Sequence, residues 1–322
     1  MKKLDTYIKF CDNRFVNAVK NSSLPAVGTA LATPFKHGKI HFADLVKAVE
    51  LQQKHADFVV VLGTTAEPNS LTCEERKQVI SAVKLHCDLP VVVGVSASGT
   101  TQAIQQACAA QKLGADGILL SPPSFSKCTP NGYVKHVLKV VETCRLPTIL
   151  YNAPLRAGYP IDKNIVHVLA EKGVKFVKDA ANETSLTNSA TKFGASCFCG
   201  NDGLYDEFLT DGACGTISVV ANVAPLLVKA VGAIVTNKLG KDKNLLNVDK
   251  QLLTVYNKLA RLSVLEINPI VIKYLLYKAG IFDSYEMRLP LTKACRNTRK
   301  QIDELWEEYG KTLTKLNSEV IV

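Results

Sequence analysis

The chain has 322 residues, of which 47% are hydrophobic and 21% charged, with a formal net charge of +10. This is an ordinary soluble composition with enough apolar material for a sizeable core. The Lys and Arg residues are spread without a run of five and carry no helix-turn-helix or RNA-binding signature, so the basic balance reads as a solvated surface with a mild pull on small carboxylates, not as a nucleic-acid site. In chain order, Leu4, Tyr7, Ile8, Cys11 and Phe15 recur at helical spacing and predict an amphipathic helix over 3–20, packed on the domain surface. Asp5, Lys9, Asp12 and Arg14 interrupt any apolar core a secretory signal would need. From residue 26 onward short apolar runs alternate with helical patterns. Strands are expected over 27–33, 58–62, 91–94, 117–121, 148–151, 174–178, 196–200 and 215–219. Helices are expected over 42–55, 72–86, 100–113, 131–143, 162–171, 184–193 and 204–210, with an eighth after Asn222. The strand runs are apolar, not alternating, as in strands buried on both faces.

Eight β/α units in roughly 210 residues predict a closed (β/α)8 TIM barrel. The alternative, an open doubly wound sheet, usually shows Gly-x-Gly-x-x-Gly after its first strand; here Thr33, Pro34 and Phe35 follow instead. Strand signals stop near Leu239, and the rest reads as helices with a break over 286–290. The expected organisation is an extension over 1–24, a barrel over 25–240 and a helical C-terminal appendage over 241–322 packed on the barrel. No stretch is long and apolar enough to span a bilayer. The ten cysteines include no Cys-x-x-Cys and no zinc spacing, and reduced thiols in a cytoplasmic protein are the simplest account. Cys197 and Cys199 are expected on opposite faces of one strand.

In a barrel the chemistry sits where strands end. Those ends read Gly63-Thr64-Thr65-Ala66-Glu67, Tyr151-Asn152-Ala153-Pro154-Leu155-Arg156, Lys178-Asp179, Gly200-Asn201-Asp202 and Ile217-Ser218. If Lys175 points outward, period two puts Phe176 and Lys178 inside. A lysine facing a barrel interior loses solvation, which favours the neutral amine that attacks a ketone to form an imine. An ion pair with Asp179 or Glu67 is the competing reading. Tyr151 can shuttle a proton with Thr65 as its link to other groups, or it can be a structural tyrosine bonded to backbone. Arg156 can hold a carboxylate in a bidentate fork, or lie on the surface.

At these residues the chain resembles the dihydrodipicolinate synthase and N-acetylneuraminate lyase family of pyruvate-dependent class I aldolases. The likeness runs from about Pro25 to Thr292 and rests on an ordered set of motifs. These are Ala32-Thr33-Pro34-Phe35, Gly63-Thr64-Thr65-x-Glu67, Tyr151-Asn152-x-Pro154-x-Arg156-x-Gly158, Val177-Lys178-Asp179-Ala180 and Gly200-Asn201-Asp202. Arg156, the segment Ile217 to Pro225, Glu266-x-Asn268-Pro269-Ile270 with Lys273, and Arg288-Leu289-Pro290 resemble the synthase branch rather than the sialic-acid lyases. The resemblance implies an imine between Lys178 and pyruvate, and proton transfer by Tyr151 assisted by Thr65. It further implies Thr64 and Thr65 at the pyruvate carboxylate, Arg156 at the carboxylate of aspartate semialdehyde, and the backbone of Gly200 and Ile217 lining the pocket. It implies no metal or organic cofactor, no nucleic-acid or membrane partner, and a homo-oligomer, dimer or dimer of dimers. A keto-sugar-acid aldolase, a sialic-acid lyase, or a barrel that binds a keto acid without turnover are the alternatives.

The chain departs from the family's pattern in places. The family carries a second relay tyrosine, lent across a dimer interface, in the loop after strand four. Here that loop reads Pro122-Pro123-Ser124-Phe125-Ser126, in which Ser124 can supply a hydroxyl and Phe125 cannot. Where feedback-regulated relatives bind lysine, this chain places Pro68, Asn69, Cys73, Arg76, Ser98 and Gln102, so lysine is expected not to inhibit.

Overall fold

The computed structural model describes residues 13–236 and 245–318. Eight parallel strands close into a barrel: β1 (Ala26–Ala30), β2 (Phe58–Val61), β3 (Val91–Val95), β4 (Gly117–Leu120), β5 (Thr148–Asn152), β6 (Phe176–Asp179), β7 (Ser196–Cys199) and β8 (Gly215–Ser218), with β1 pairing β2 on one side and β8 on the other. Every residue of β1, β2, β3, β4 and β8 is buried. That is why these runs lack polar alternation: one face fills the lumen and the other meets the helices. The lumen holds Ala26, Ala30, Phe58, Val60, Val92, Leu119, Ile149, Phe198 and Ile217, while Val27, Val59, Val61, Val91 and Val93 pack outward. Gly28 makes room for this filling, since a Cβ there would lie 2.3 Å from the Phe58 ring.

The helix seen at the N-terminus spans Arg14–Asn21, capped by Asn13, whose side chain accepts from the amides of Phe15 and Val16. Leu4, Tyr7, Ile8 and Cys11 of the predicted helix lie outside the described residues. Phe15 does not rest on the domain surface as expected. It is fully buried in the lumen cluster, edge-on to Phe58 at 5.1 Å and to Phe176 at 5.2 Å, so this helix plugs the barrel. The expectation for Cys197 and Cys199 is corrected too: both point outward into the helix layer. Residues two apart in a strand share a face.

Helices Leu245–Ser263, Ile270–Lys278 and Arg296–Ser318 follow the barrel. They bind it through polar contacts as well as apolar ones. Tyr256 donates to the carbonyl of Asp202 at 2.9 Å, and the Asp202 carboxylate gathers the amides of Val219 and Val220 and the Ser218 hydroxyl at the end of β8. Among the described residues no helix is long and apolar enough to cross a membrane, and every described cysteine is free.

Candidate active site

Lys178 projects into the barrel from the end of β6, with Phe176 inward and Val177 outward, and is 5% exposed. Its register partner on β5 is Tyr151, whose ring centroid lies 4.9 Å from Lys178 Nζ. On the other side runs Gly200, where a Cβ would sit 2.9 Å from Lys178 Cε; only glycine lets the lysine pass this closely. Among the described residues no carboxylate is within ion-pair distance of Lys178. Asp179 is taken by the Asn152 amide group at 2.8 Å and the Ala181 amide at 3.1 Å, and Glu67 by Lys273. The ion-pair reading therefore fails.

The Tyr151 hydroxyl lies 3.4 Å from Thr64 Oγ1, a side-chain partner and not a backbone one. Burial alone would push the phenol up, but the positive charge of Lys178, the Thr64 hydroxyl and Arg156 outweigh it and hold Tyr151 below the usual phenol value. The expected link through Thr65 is corrected here. Thr65 is buried and its Oγ1 accepts from Asn268 Nδ2 at 3.0 Å, away from Tyr151. The reason is local: β2 ends at Val61, Leu62 has φ of 55°, and Thr64–Ala66 form a 3-10 turn, so strand alternation no longer decides which threonine faces the tyrosine.

Arg156 stands on the short helix Pro154–Ala157, which opens on Pro154 and ends at Gly158 with φ of 66°. The Asn152 side chain closes the following loop by accepting from the Ile161 amide at 3.0 Å. Arg156 is exposed and lines a cavity of about 450 Å³ together with Thr64, Tyr151, Ser121, Ser124, Asn268 and Arg288. Ser124 Oγ lies 3.3 Å from Ser98 Oγ on this wall, whereas the Phe125 side chain is wholly in solvent. Of the expected residues, Thr64, Tyr151 and Arg156 line the open cavity. Lys178 sits beneath Tyr151, Gly200 beside Lys178, and Ile217 within the lumen packing. Asn268, Lys273 and Arg288 were not singled out as site residues by the sequence; their motifs entered only as part of a C-terminal likeness.

One described group, His41, Asp44 and Asp283, has metal-ligand proximity. Its carboxylates are already bound by Lys47, at 3.0 and 3.1 Å, and by Lys36 at 3.1 Å.

Residues 24–308 match the Dihydrodipicolinate synthetase family. The 4-hydroxy-tetrahydrodipicolinate synthase of Rickettsia bellii (strain OSU 85-389) is 34% identical over 292 residues, covering 88% of this chain and 97% of the relative. That of Bdellovibrio bacteriovorus is 36% identical over 280 residues, covering 84% and 94%. Among solved structures, the 4-hydroxy-tetrahydrodipicolinate synthase of Methylacidiphilum fumariolicum SolV superposes with a TM-score of 0.83 at 26% identity, over 91% of this chain and 98% of that one. The chloride-inhibited dihydrodipicolinate synthase of Acinetobacter baumannii, solved with pyruvate, gives a TM-score of 0.81 at 29% identity, over 90% and 99%.

Proposed function

The chain belongs to the dihydrodipicolinate synthetase family, and on that premise we propose that it condenses pyruvate with L-aspartate 4-semialdehyde to 4-hydroxy-tetrahydrodipicolinate through an imine on Lys178. The observation that carries this reading is the buried Lys178, without an ion-pair partner among the described residues, beneath the phenol of Tyr151, itself bonded to Thr64. The Lys178 amine adds to the pyruvate carbonyl and water leaves, giving the imine. Loss of a methyl proton sends its electron pair into a new C=C bond and the C=N pair onto nitrogen, giving the enamine. The enamine carbon attacks the aldehyde, whose oxygen takes up a proton. The substrate's own amino group then adds to the imine carbon, closes the ring and expels the Lys178 amine. On this reading Tyr151 and Thr64, whose hydroxyls lie 3.4 Å apart, carry the protons of these steps. Thr65, Gly200 and Ile217 shape the pocket around the pyruvate moiety. No step calls for a metal or organic cofactor, because the imine nitrogen accepts the electrons. The same reading places the protein in the cytoplasm as a homo-oligomer, dimer or dimer of dimers. Initial rates with the two acceptors test the substrate: aspartate semialdehyde is expected to exceed N-acetylmannosamine, and the reverse order would overturn the proposal.

Arg156 is exposed at the cavity rim, free to take a carboxylate in a two-bond fork. Loss of such a charge-assisted contact costs about 1.5–3 kcal/mol. Arg156→Ala is therefore expected to raise the KM for aspartate semialdehyde by roughly 10- to 150-fold, and that for pyruvate much less. Equal effects on both substrates would remove Arg156 from this role. L-lysine at millimolar concentration is expected to leave the steady-state rate unchanged. The position of the acid that would pair with the incoming ammonium carries the neutral Gln102, and Arg76, which donates to the Pro68 carbonyl at 2.7 Å, adds a like charge. Saturable inhibition at low millimolar lysine would contradict this.

A further inference from the structure

Glu67 follows the turn that carries Thr64 and holds φ of 52° and ψ of 46°, the left-handed region in which a non-glycine side chain is strained. Its carboxylate is nearly fully buried, with Oε1 bound by Lys273 Nζ at 2.5 Å and Oε2 by the Arg288 backbone amide at 3.1 Å. Lys273 is completely buried, gives a further bond to the Glu286 carbonyl at 2.8 Å, and lies 4.1 Å from the centroid of Phe35. The Arg288 guanidinium also lies over the Phe35 ring, forks onto Glu75 at 2.9 and 2.6 Å and donates to the Ser70 carbonyl at 2.9 Å. Glu75 is the capping-box residue of the helix Cys73–His86. The segment from Glu67 to Glu75 is thus fastened at three points by the C-terminal region, and the Asn268–Thr65 bond adds a fourth beside Thr64.

A buried ion pair is a poor source of net stability, because removing two charges from water consumes most of their attraction. What such a pair does supply, with its hydrogen bonds satisfied, is a single geometry. We propose that Lys273 and Glu67 are positioning residues: their buried pair locks the 64–67 turn so that the Thr64 hydroxyl stays on Tyr151, making the C-terminal helices part of the proton-transfer geometry. The groups facing the Lys273 ammonium are Glu67, Glu286 and Arg288. Burial pushes Lys273 down, to about 8, against the pull of Glu67, so the cation is held by its partners and not by solvent.

This inference rests on the proposed imine chemistry, and the test separates the two. With pyruvate alone, borohydride trapping reports imine formation on Lys178, and exchange of the pyruvate methyl protons with deuterated solvent, followed by NMR, reports the proton transfer that follows. In Glu67→Gln and Lys273→Met, trapping is expected to persist while methyl exchange and kcat fall at least tenfold and the KM for pyruvate changes little. Glu67→Gln keeps the shape and one hydrogen bond, so it decides the matter if Lys273→Met does not fold. Unchanged exchange in folded Glu67→Gln would overturn the inference. Equal loss of trapping and exchange in a folded variant would overturn it too, because the pair would then support the whole pocket and not the relay. Failure of the wild-type protein to trap pyruvate would instead sink the imine reading itself.

Discussion

Lys178→Ala is expected to abolish condensation, lowering kcat on the order of 10,000-fold or more, because the substitution removes the amine on which the proposed imine forms. Tyr151, Thr64 and Arg156 are expected to remain in place in this variant, yet in the proposed mechanism each acts on an intermediate that would never form. The fold should survive. Lys178 carries no ion pair among the described residues, and it stands near the C-terminal end of its strand, the end of the barrel that serves chemistry and not stability. Its truncation therefore leaves no buried charge stranded, in contrast to the loss of Lys273, which would leave Glu67 unpaired inside the protein. Circular dichroism and the melting temperature should be close to wild type while product formation falls to background. Retained turnover would show that another amine does the work.

Phe15→Ala is expected to have the opposite profile, a large loss of stability with the chemistry intact in whatever fraction remains folded. The ring is fully buried and touches Phe58, Phe176 and Phe198 in the lumen, with centroid separations of 5.1, 5.2 and 6.4 Å. Truncating a buried phenylalanine costs about 3–5 kcal/mol, through lost transfer energy and the cavity left behind. The barrel cannot easily collapse around that cavity, since its wall is a hydrogen-bonded ring of strands. Arg14, which reaches Asp116 at 3.7 Å and is half-exposed, contributes far less. Chemical denaturation should show the midpoint falling for Phe15→Ala and barely moving for Arg14→Ala. A near-neutral Phe15→Ala would mean that the plug is dispensable.

The barrel was legible because its strands are short, apolar and evenly interrupted, and because period two within Val174-Lys175-Phe176-Val177-Lys178 fixes which way the lysine points. Tyr151 and Arg156 followed from their place at the end of β5. The choice between Thr64 and Thr65 was not legible, since the backbone leaves strand geometry at Leu62 and the next side chains are aimed by a turn. The partner of Glu67 was hidden for another reason. Lys273 lies 206 residues away, and nothing local marks a lysine within the apolar run Ile270-Val271-Ile272-Lys273-Tyr274 as the counter-charge of a residue near the start of the barrel. The N-terminal helix illustrates the same limit. Amphipathic spacing predicted the element, but that Phe15 enters the lumen depends on the rings of Phe58, Phe176 and Phe198, which meet only in three dimensions.

The most direct test of the central claim is to incubate the protein with pyruvate, reduce it with borohydride, digest it and locate the adduct by mass spectrometry. Hydride addition to the imine carbon fixes pyruvate to the attacking nitrogen as a stable secondary amine. One adduct per chain is expected, on Lys178, blocked in Lys178→Ala. An adduct on a different lysine, or none under conditions in which the enzyme turns over, would contradict it.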